Sequence, residues 1–247
     1  MAKLERKTAI VTGGSSGIGQ AIAVRLATDG ARVAIADIAD ARETLDLIRA
    51  QGGVAYAACC DITDPYAVAA LVTAVKAELG VPQILVHSAA MQFVRPFADI
   101  SFEEWRATQA VNQDSMFHLL KAVRPEMQST GWGRVVVIAS STFFVGAPNM
   151  THYVTSKGAL IGLVHGLAAE LGADGITINA VAPGLTRTAK AVHDLPAALF
   201  QAVVERQCIK RSGRPEDQAA VVAFLVSDEA GFITGQSILA DGGEGRT

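Results

Sequence analysis

Seven short apolar runs recur along the chain: Thr8–Val11, Arg32–Ala36, Val54–Ala57, Ile84–Val86, Arg134–Ile138, Thr177–Val181 and Ser237–Ala240. Their centres are continuous (V-V-V-I, I-L-V) rather than alternating, the pattern of strands covered on both faces. Longer stretches of helical character separate them, near Ile18–Thr28, Ala41–Ala50, Tyr66–Leu79, Phe102–Gln128, Tyr153–Leu171 and Glu216–Val226. Strands alternating with helices predict right-handed crossovers and a doubly wound, Rossmann-type parallel sheet of about seven strands in one α/β domain, residues 1–247. Ligands of such sheets bind beyond the carboxyl ends of the strands. The glycine-rich and polar signals of this chain fall there.

Composition narrows the setting. Half of the 247 residues are hydrophobic, enough for one sizeable core. Net charge is −3, with no basic run suited to nucleic acid or an anionic membrane surface, so neither is expected as a partner. The start, M-A-K-L-E-R-K, is charged and runs into a strand, unlike a signal or transit peptide. Apolar stretches such as Ala219–Val226 are too short to cross a bilayer. Cys59, Cys60 and Cys208 are odd in number, and neighbouring cysteines pair poorly, which predicts a reducing cytoplasm. No C-x-x-C or H-x-x-x-H spacing suggests a metal site.

Tyr153 and Lys157 in T-H-Y-V-T-S-K carry the chemistry. Four residues apart, they share one helix face. An ammonium beside a phenol favours the phenolate, so Lys157 is expected to lower the Tyr153 pKa toward working pH. The pair would take a proton from an alcohol or give one to a ketone.

The first strand ends in T-G-G-S-S-G-I-G, Thr12 to Gly19, just before a helix. Gly13, Gly17 and Gly19 permit a tight turn, and Ser15, Ser16 and Ile18 complete a loop whose N–H groups can approach a pyrophosphate. Asp37 ends the second strand, eighteen residues after Gly19. Its carboxylate can accept from both ribose hydroxyls of adenosine and repels a 2′-phosphate, which predicts NAD rather than NADP. Asp61 and Ile62, after the third strand, are placed to meet the adenine ring.

With T-G-x-x-x-G-I-G, Y-x-x-x-K, P-G-L-T-R-T (Pro183–Thr188), G-R-P-E-D (Gly213–Asp217) and I-T-G-Q…D-G-G (Ile233–Gly243), the chain resembles the short-chain dehydrogenase/reductase family over essentially its whole length. The resemblance implies Tyr153 as general acid/base and Lys157 as its pKa modulator and nicotinamide-ribose ligand. It implies Ser140 as hydrogen-bond donor to the substrate oxygen, with Ser141 a rival one residue out of register. Asn112 would hold, through its backbone, a water linking Lys157 to solvent. Pro183 and Gly184 would sit at the nicotinamide, Thr186 and Thr188 at its carboxamide or phosphate, and residues 189–206 would form a mobile substrate-covering loop. The family is commonly a homotetramer packed through the helices near Phe102–Gln128 and Tyr153–Leu171. One departure is clear: where the family carries N-N-A-G after the fourth strand, this chain has His87-Ser88-Ala89-Ala90. Ala89 belongs to the cofactor side of that loop. His87 must find new partners, and Ala90 must hold a negative φ or bear strain.

The expected substrate pocket is largely apolar: Met91, Gln92 and Phe93, then Phe143, Phe144, Met150 and His152. T-H-Y and L-T-R-T are similar to aryl secondary-alcohol dehydrogenases of the 1-phenylethanol type. T-F-F-x-G-x-P-N-M is similar to pyridoxal 4-dehydrogenases. Both point to an apolar or aromatic alcohol and its carbonyl partner. A 3-hydroxyacyl or 3-hydroxybutyrate dehydrogenase is the alternative and needs a cationic clamp from Arg187 or Lys190. A catalytically retired NAD-binding regulator is a third reading.

Overall fold

The computed structural model describes residues 3–246; residues 1, 2 and 247, at the ends of the expected domain, lie outside the described residues. In chain order the elements begin with β1 (Thr8–Thr12), α1 (Gly17–Thr28), β2 (Arg32–Asp37), α2 (Arg42–Ala50), β3 (Val54–Cys59), α3 (Pro65–Leu79) and β4 (Pro82–His87). There follow α4 (Phe102–Gln109), α5 (Ser115–Thr130), β5 (Gly133–Ile138), α6 (Thr142–Val145) and α7 (Thr151–Leu171). The chain closes with β6 (Ile176–Pro183), α8 (Ala189–Asp194), α9 (Ala197–Arg206), α10 (Pro215–Leu225) and β7 (Ser237–Ala240). The seven strands form one sheet in the order β3-β2-β1-β4-β5-β6-β7, with every neighbouring pair parallel.

Successive residues of a strand point to opposite faces, so a sheet covered on both sides needs apolar residues at every position. Val135 and Val137 of β5 pack with α3, α5 and α7 on one face. Val136 and Ile138 pack with α1 and α10 on the other. That is why the strands run V-V-V-I without alternation. The strand order reverses direction between β1 and β4, and the crevice at their carboxyl ends is where the glycine-rich loop, His87–Ala90 and Asn112 meet.

Three details differ from the pattern expected of the sequence. The single helix over Phe102–Gln128 is two helices joined by a π-turn at Ala110–Asp114. Residues 189–206, expected to cover the substrate, hold two short helices, α8 and α9, with Phe200 and Val203 buried. Thr142–Val145 forms a short helix directly after β5. All three cysteines are free.

Candidate active site

The phosphate loop is built by close backbone approach. A Cβ on Gly19 would lie 2.1 Å from the Gly13 carbonyl oxygen, and one on Gly13 2.7 Å from Cα of Ala89. Gly13 also holds φ of +66°, which glycine alone adopts without strain. Ser16 is the N-cap of α1, extended in backbone, and its hydroxyl makes no capping bond. The first N–H groups of α1 are thereby left for an anion. A groove of about 560 Å³ runs from this loop along the outer side of α1, lined by Ser16, Arg25, Glu43, Gln51, Arg187 and Pro215 among others. Ile18 packs against the core beside the loop.

Asp37 sits at the end of β2 against this loop. Its carboxylate accepts from the Ser15 N–H at 3.0 Å, from the Ser15 hydroxyl, and from Ala39 N–H at 3.0 Å. Ser15 thus orients the Asp37 carboxylate through both its N–H and its hydroxyl. Among the described residues no Lys or Arg forms an ion pair with Asp37; Arg42 pairs with Asp40 instead. Asp61 accepts from the backbone and hydroxyl of Thr63, which holds its carboxyl below the usual range, while Ile62 is buried in the core. The glycine cradle, the open helix N-terminus and the Asp37 carboxylate fit a dinucleotide.

Across the crevice, Ser140, Tyr153, Lys157 and Asn112 come together. Ser140 is buried at the end of β5, and its oxygen accepts from the Thr142 N–H at 3.3 Å and pairs with the Thr142 hydroxyl at 2.9 Å. Burial raises the Tyr153 phenol above its ordinary pKa of 10, and a hydrogen bond to Ser140 opposes that rise. Ser140, not Ser141, is therefore the serine at the phenol. Lys157 is fully buried, donates to the Ile138 carbonyl at 2.7 Å, and lies 5.6 Å from the centre of the Tyr153 ring. Burial lowers its ammonium from 10.5 to about 7. The expected lowering of Tyr153 by a fixed lysine charge is thus not what the free protein displays. Burial acts on both groups, pushing the phenol up and the ammonium down.

Asn112 is completely buried at the centre of the π-turn. Its amide accepts from Met91 N–H at 2.7 Å and donates to the Met91 carbonyl and the Ser156 hydroxyl, both at 2.9 Å. Ser156 in turn donates to the Tyr153 carbonyl at 2.7 Å. One side chain ties the loop after β4 to the helix that carries Tyr153.

His87 has found its new partners: Thr12 at 3.1 Å through Nδ1, and the Asn112 carbonyl at 3.3 Å through Nε2. Ala90 is not among the residues with positive φ, so the glycine it replaces was not needed for backbone reasons. Pro183 and Gly184 close β6, with Gly184 packed so tightly on Asp241 that a Cβ would meet it at 2.8 Å. Thr186 donates to the Gly184 carbonyl, and Thr188 caps α8 by accepting from Ala191 N–H at 3.1 Å. Thr188 lies beside the phosphate loop, where a Cβ on Gly17 would meet its methyl at 3.2 Å, while Thr186 bridges to Gly213.

The expected pocket residues divide into two groups. Phe93 stacks on His152 with ring centres 6.0 Å apart, beside the exposed Gln92 and the half-buried Met150. His152 itself is 1% exposed, and its Nδ1 has no partner among the described residues. Phe143 instead rests on Gly158, where a Cβ would lie 2.6 Å from its ring. Gly158 is turned about 140° round α7 from Tyr153, at 100° per residue. Phe144 meets Phe143 edge-on and packs against the core. Both phenylalanines thus pack at α7, Phe143 exposed on its outer edge and Phe144 turned toward the core. Among the described residues no group of three metal-ligating side chains occurs, and no helix is long and apolar enough to cross a membrane.

Comparison with known proteins agrees with this geometry. The family model described as enoyl-(acyl carrier protein) reductase matches residues 13–244. The chain is 37% identical over 243 residues to 7α-hydroxysteroid dehydrogenase of Escherichia coli K12, covering 98% of this chain and 95% of that one. A solved 7α-hydroxysteroid dehydrogenase, complexed with NADH and 7-oxo glycochenodeoxycholic acid, superposes with a TM-score of 0.94 at 36% identity, covering 98% and 95% of the two chains. A structure described as a putative 2-deoxy-D-gluconate 3-dehydrogenase, from Agrobacterium tumefaciens with bound NADP, matches at a TM-score of 0.89 and 36% identity, covering 97% and 96%. The chain belongs to the short-chain dehydrogenase/reductase family, oxidoreductases acting on hydroxyl and keto groups.

Proposed function

We propose that this chain is an NAD-dependent alcohol dehydrogenase/ketoreductase of apolar or aromatic substrates, acting in the cytoplasm as a homotetramer. The observation that carries the reaction is the convergence of Ser140, Tyr153 and buried Lys157 at strand ends that also hold the phosphate loop. NAD supplies the hydride acceptor and a positively charged ring. In oxidation Tyr153 would take the hydroxyl proton of the alcohol while its own phenol proton passes on toward Lys157, and the reverse transfers would supply the proton in reduction. Ser140, whose oxygen is already engaged by Thr142, is left to donate toward the substrate oxygen as negative charge develops there. Lys157 lies within reach of the Tyr153 ring and, with its ammonium near neutrality, can exchange the proton onward. The Asn112 carbonyl, at the π-turn, is the acceptor that would hold a water on that path.

Asp37 favours NAD, because a carboxylate without a neighbouring cation repels a 2′-phosphate. The apolar wall of Phe93 and Met150 favours a hydrophobic substrate. The hydroxyacyl or hydroxybutyrate reading is disfavoured because both cations it needs are otherwise engaged. Arg187 sits 4.9 Å over the Phe200 ring and lines the groove along α1. Lys190 pairs with Asp194 on the surface. The retired-regulator reading is disfavoured by the joint presence of Asn112, Ser140, Tyr153 and Lys157.

The test is a panel of secondary and aromatic alcohols, and their carbonyl partners, with NAD and NADP, read by nicotinamide absorbance. Turnover of apolar alcohols with NAD is expected, and Tyr153→Phe should abolish it while NAD still binds. NADP preference in the wild type would defeat the Asp37 argument. Residual activity of Tyr153→Phe above a few per cent would show that another group carries the proton.

A further inference from the structure

His87 is completely buried as the last residue of β4. Counting hydrogens settles which form of the imidazole the site accepts. The Thr12 oxygen already accepts from two backbone donors, Ser88 N–H at 3.1 Å and Ala89 N–H at 3.2 Å. Both its lone pairs are used, so toward the His87 Nδ1, 3.1 Å away, it can only donate. Nδ1 is therefore an acceptor, and the ring proton sits on Nε2. That N–H faces the Asn112 carbonyl at 3.3 Å and the Ser115 oxygen at 3.4 Å. Ser115 donates its own proton to the Val111 carbonyl at 2.6 Å, which leaves its oxygen free to accept. Every hydrogen bond of the ring is accounted for in one tautomer.

We propose that His87 is a positioning residue for the proton path: as a neutral Nε2–H imidazole it holds the Asn112 carbonyl in the π-turn and links it, through Thr12, to the phosphate loop. The proposal rests on the reading of Asn112 as part of that path. The Asn112 carbonyl lies within the π-turn, and a buried carbonyl there needs a donor to hold its direction. His87 supplies that donor from β4, outside the helix. The charged group bearing on the ring is Lys157, and together with burial it keeps the imidazole far below its ordinary pKa of 6.5, at about 3. His87 neither donates a net proton nor accepts one at working pH. It differs from a base in that respect.

The first measurement needs no turnover. The protein contains five histidines, and ¹⁵N-labelled histidine NMR of the wild type, assigned by loss of one signal set in His87→Asn, reports tautomer and charge. The expected result is a proton on Nε2, none on Nδ1, and no titration between pH 5 and 9. A proton on Nδ1, or titration in that range, would overturn the proposal even if the enzyme turned over normally. The second measurement is kinetic. His87→Phe keeps a ring and removes both nitrogens. It should lower kcat about tenfold and shift the pH profile of kcat, with the affinity for NAD, read by titration of NADH fluorescence, within threefold of wild type. His87→Asn, which restores a donor, should recover kcat to within threefold. Unchanged kcat and pH profile in a folded His87→Phe would sink the positioning role. Should that variant not fold, as seen by circular dichroism, the tautomer measurement on wild type decides. Absence of wild-type turnover on every alcohol would defeat the proposed function and leave the tautomer result standing on its own.

Discussion

At the scale of single residues, the site combines groups that each oppose burial. Lys157 is sealed inside with the Ile138 carbonyl as hydrogen-bond acceptor, and its ammonium is lowered from 10.5 to about 7. The folded value lies below the unfolded one, so the unfolded chain binds the proton more tightly. Stability therefore rises with pH between about 7 and 10.5, and the full penalty is present below about 7. Replacing Lys157 with Met should abolish turnover yet raise the stability of the cofactor-free protein at pH 7 by about 1–3 kcal/mol. That advantage should shrink as the pH approaches 10. Denaturant midpoints of both proteins at several pH values check it, and a Lys157→Met variant less stable at pH 7 would contradict it. Asp37 offers a second test at this scale. Asp37→Ser should weaken NAD and narrow the preference over NADP by about 1–3 kcal/mol, the scale of a hydrogen bond to a charged group. It should also loosen Ser15, whose N–H and hydroxyl now meet that carboxylate. The ratio of kcat/KM for the two cofactors reads the first effect.

At the scale of elements, the π-turn is the feature that aims the site. A capping box at Ser101 and Glu104 starts α4, and α5 runs on to a left-handed Gly131, yet the chain between them carries one residue too many for an α-helix. Asn112 occupies that turn and binds Met91 and Ser156 together. Asn112→Ala should therefore destabilise the fold by about 2–3 kcal/mol, since buried partners lose their hydrogen bonds. Combined with Ser156→Ala it should cost less than the sum of the two, a coupling of about 0.5–2 kcal/mol. Full additivity in chemical denaturation would mean the two do not act as one tie. None of this was legible in A-V-N-Q-D-S-M-F, because a one-residue phase slip leaves the apolar period of the helix nearly intact. The strands were legible for the opposite reason: burial on both faces imposes apolar residues at every position. The helices α6 and α8, of four and six residues, are too short to develop a period of their own. Tyr153, Lys157 and Asp37 could be placed from spacing alone, being tied to strand ends and one helix face. Phe143 and Phe144 could not, since closeness in sequence to Ser140 does not say on which side of α7 a ring falls.

At the scale of the whole molecule, one surface is unlike the rest. The outer faces of α5 and α7 form a shallow apolar groove of about 190 Å³ between Phe117, Leu120, Leu163 and Leu167, flanked by Lys121 and Arg124. Phe117 is 56% exposed there. On α7, Gly162 and Gly166 lie one turn apart and exposed, and a Cβ on either would meet nothing within 4 Å. Glycine inside a helix costs about 1 kcal/mol against alanine, and nothing within this chain requires it at these positions. Close approach of another helix would require it, as small residues let backbones pack tightly. The homotetramer proposed for the chain would place this face between subunits. In analytical ultracentrifugation the wild type should sediment at about four times the 25.7 kDa chain mass. Gly166→Leu, which fills the approach without touching the fold's own core, should dissociate that assembly into smaller species with the circular dichroism spectrum retained. An unaltered tetramer in Gly166→Leu would mean that α7 does not meet its copy there, and a wild type sedimenting as a single chain would remove the tetramer itself. Because α7 also carries Tyr153 and Lys157 on its inner side, dissociation should lower kcat through a looser helix while leaving the dinucleotide affinity set by Asp37 and the phosphate loop nearly unchanged. That split between kcat and cofactor affinity distinguishes loss of support for α7 from general unfolding.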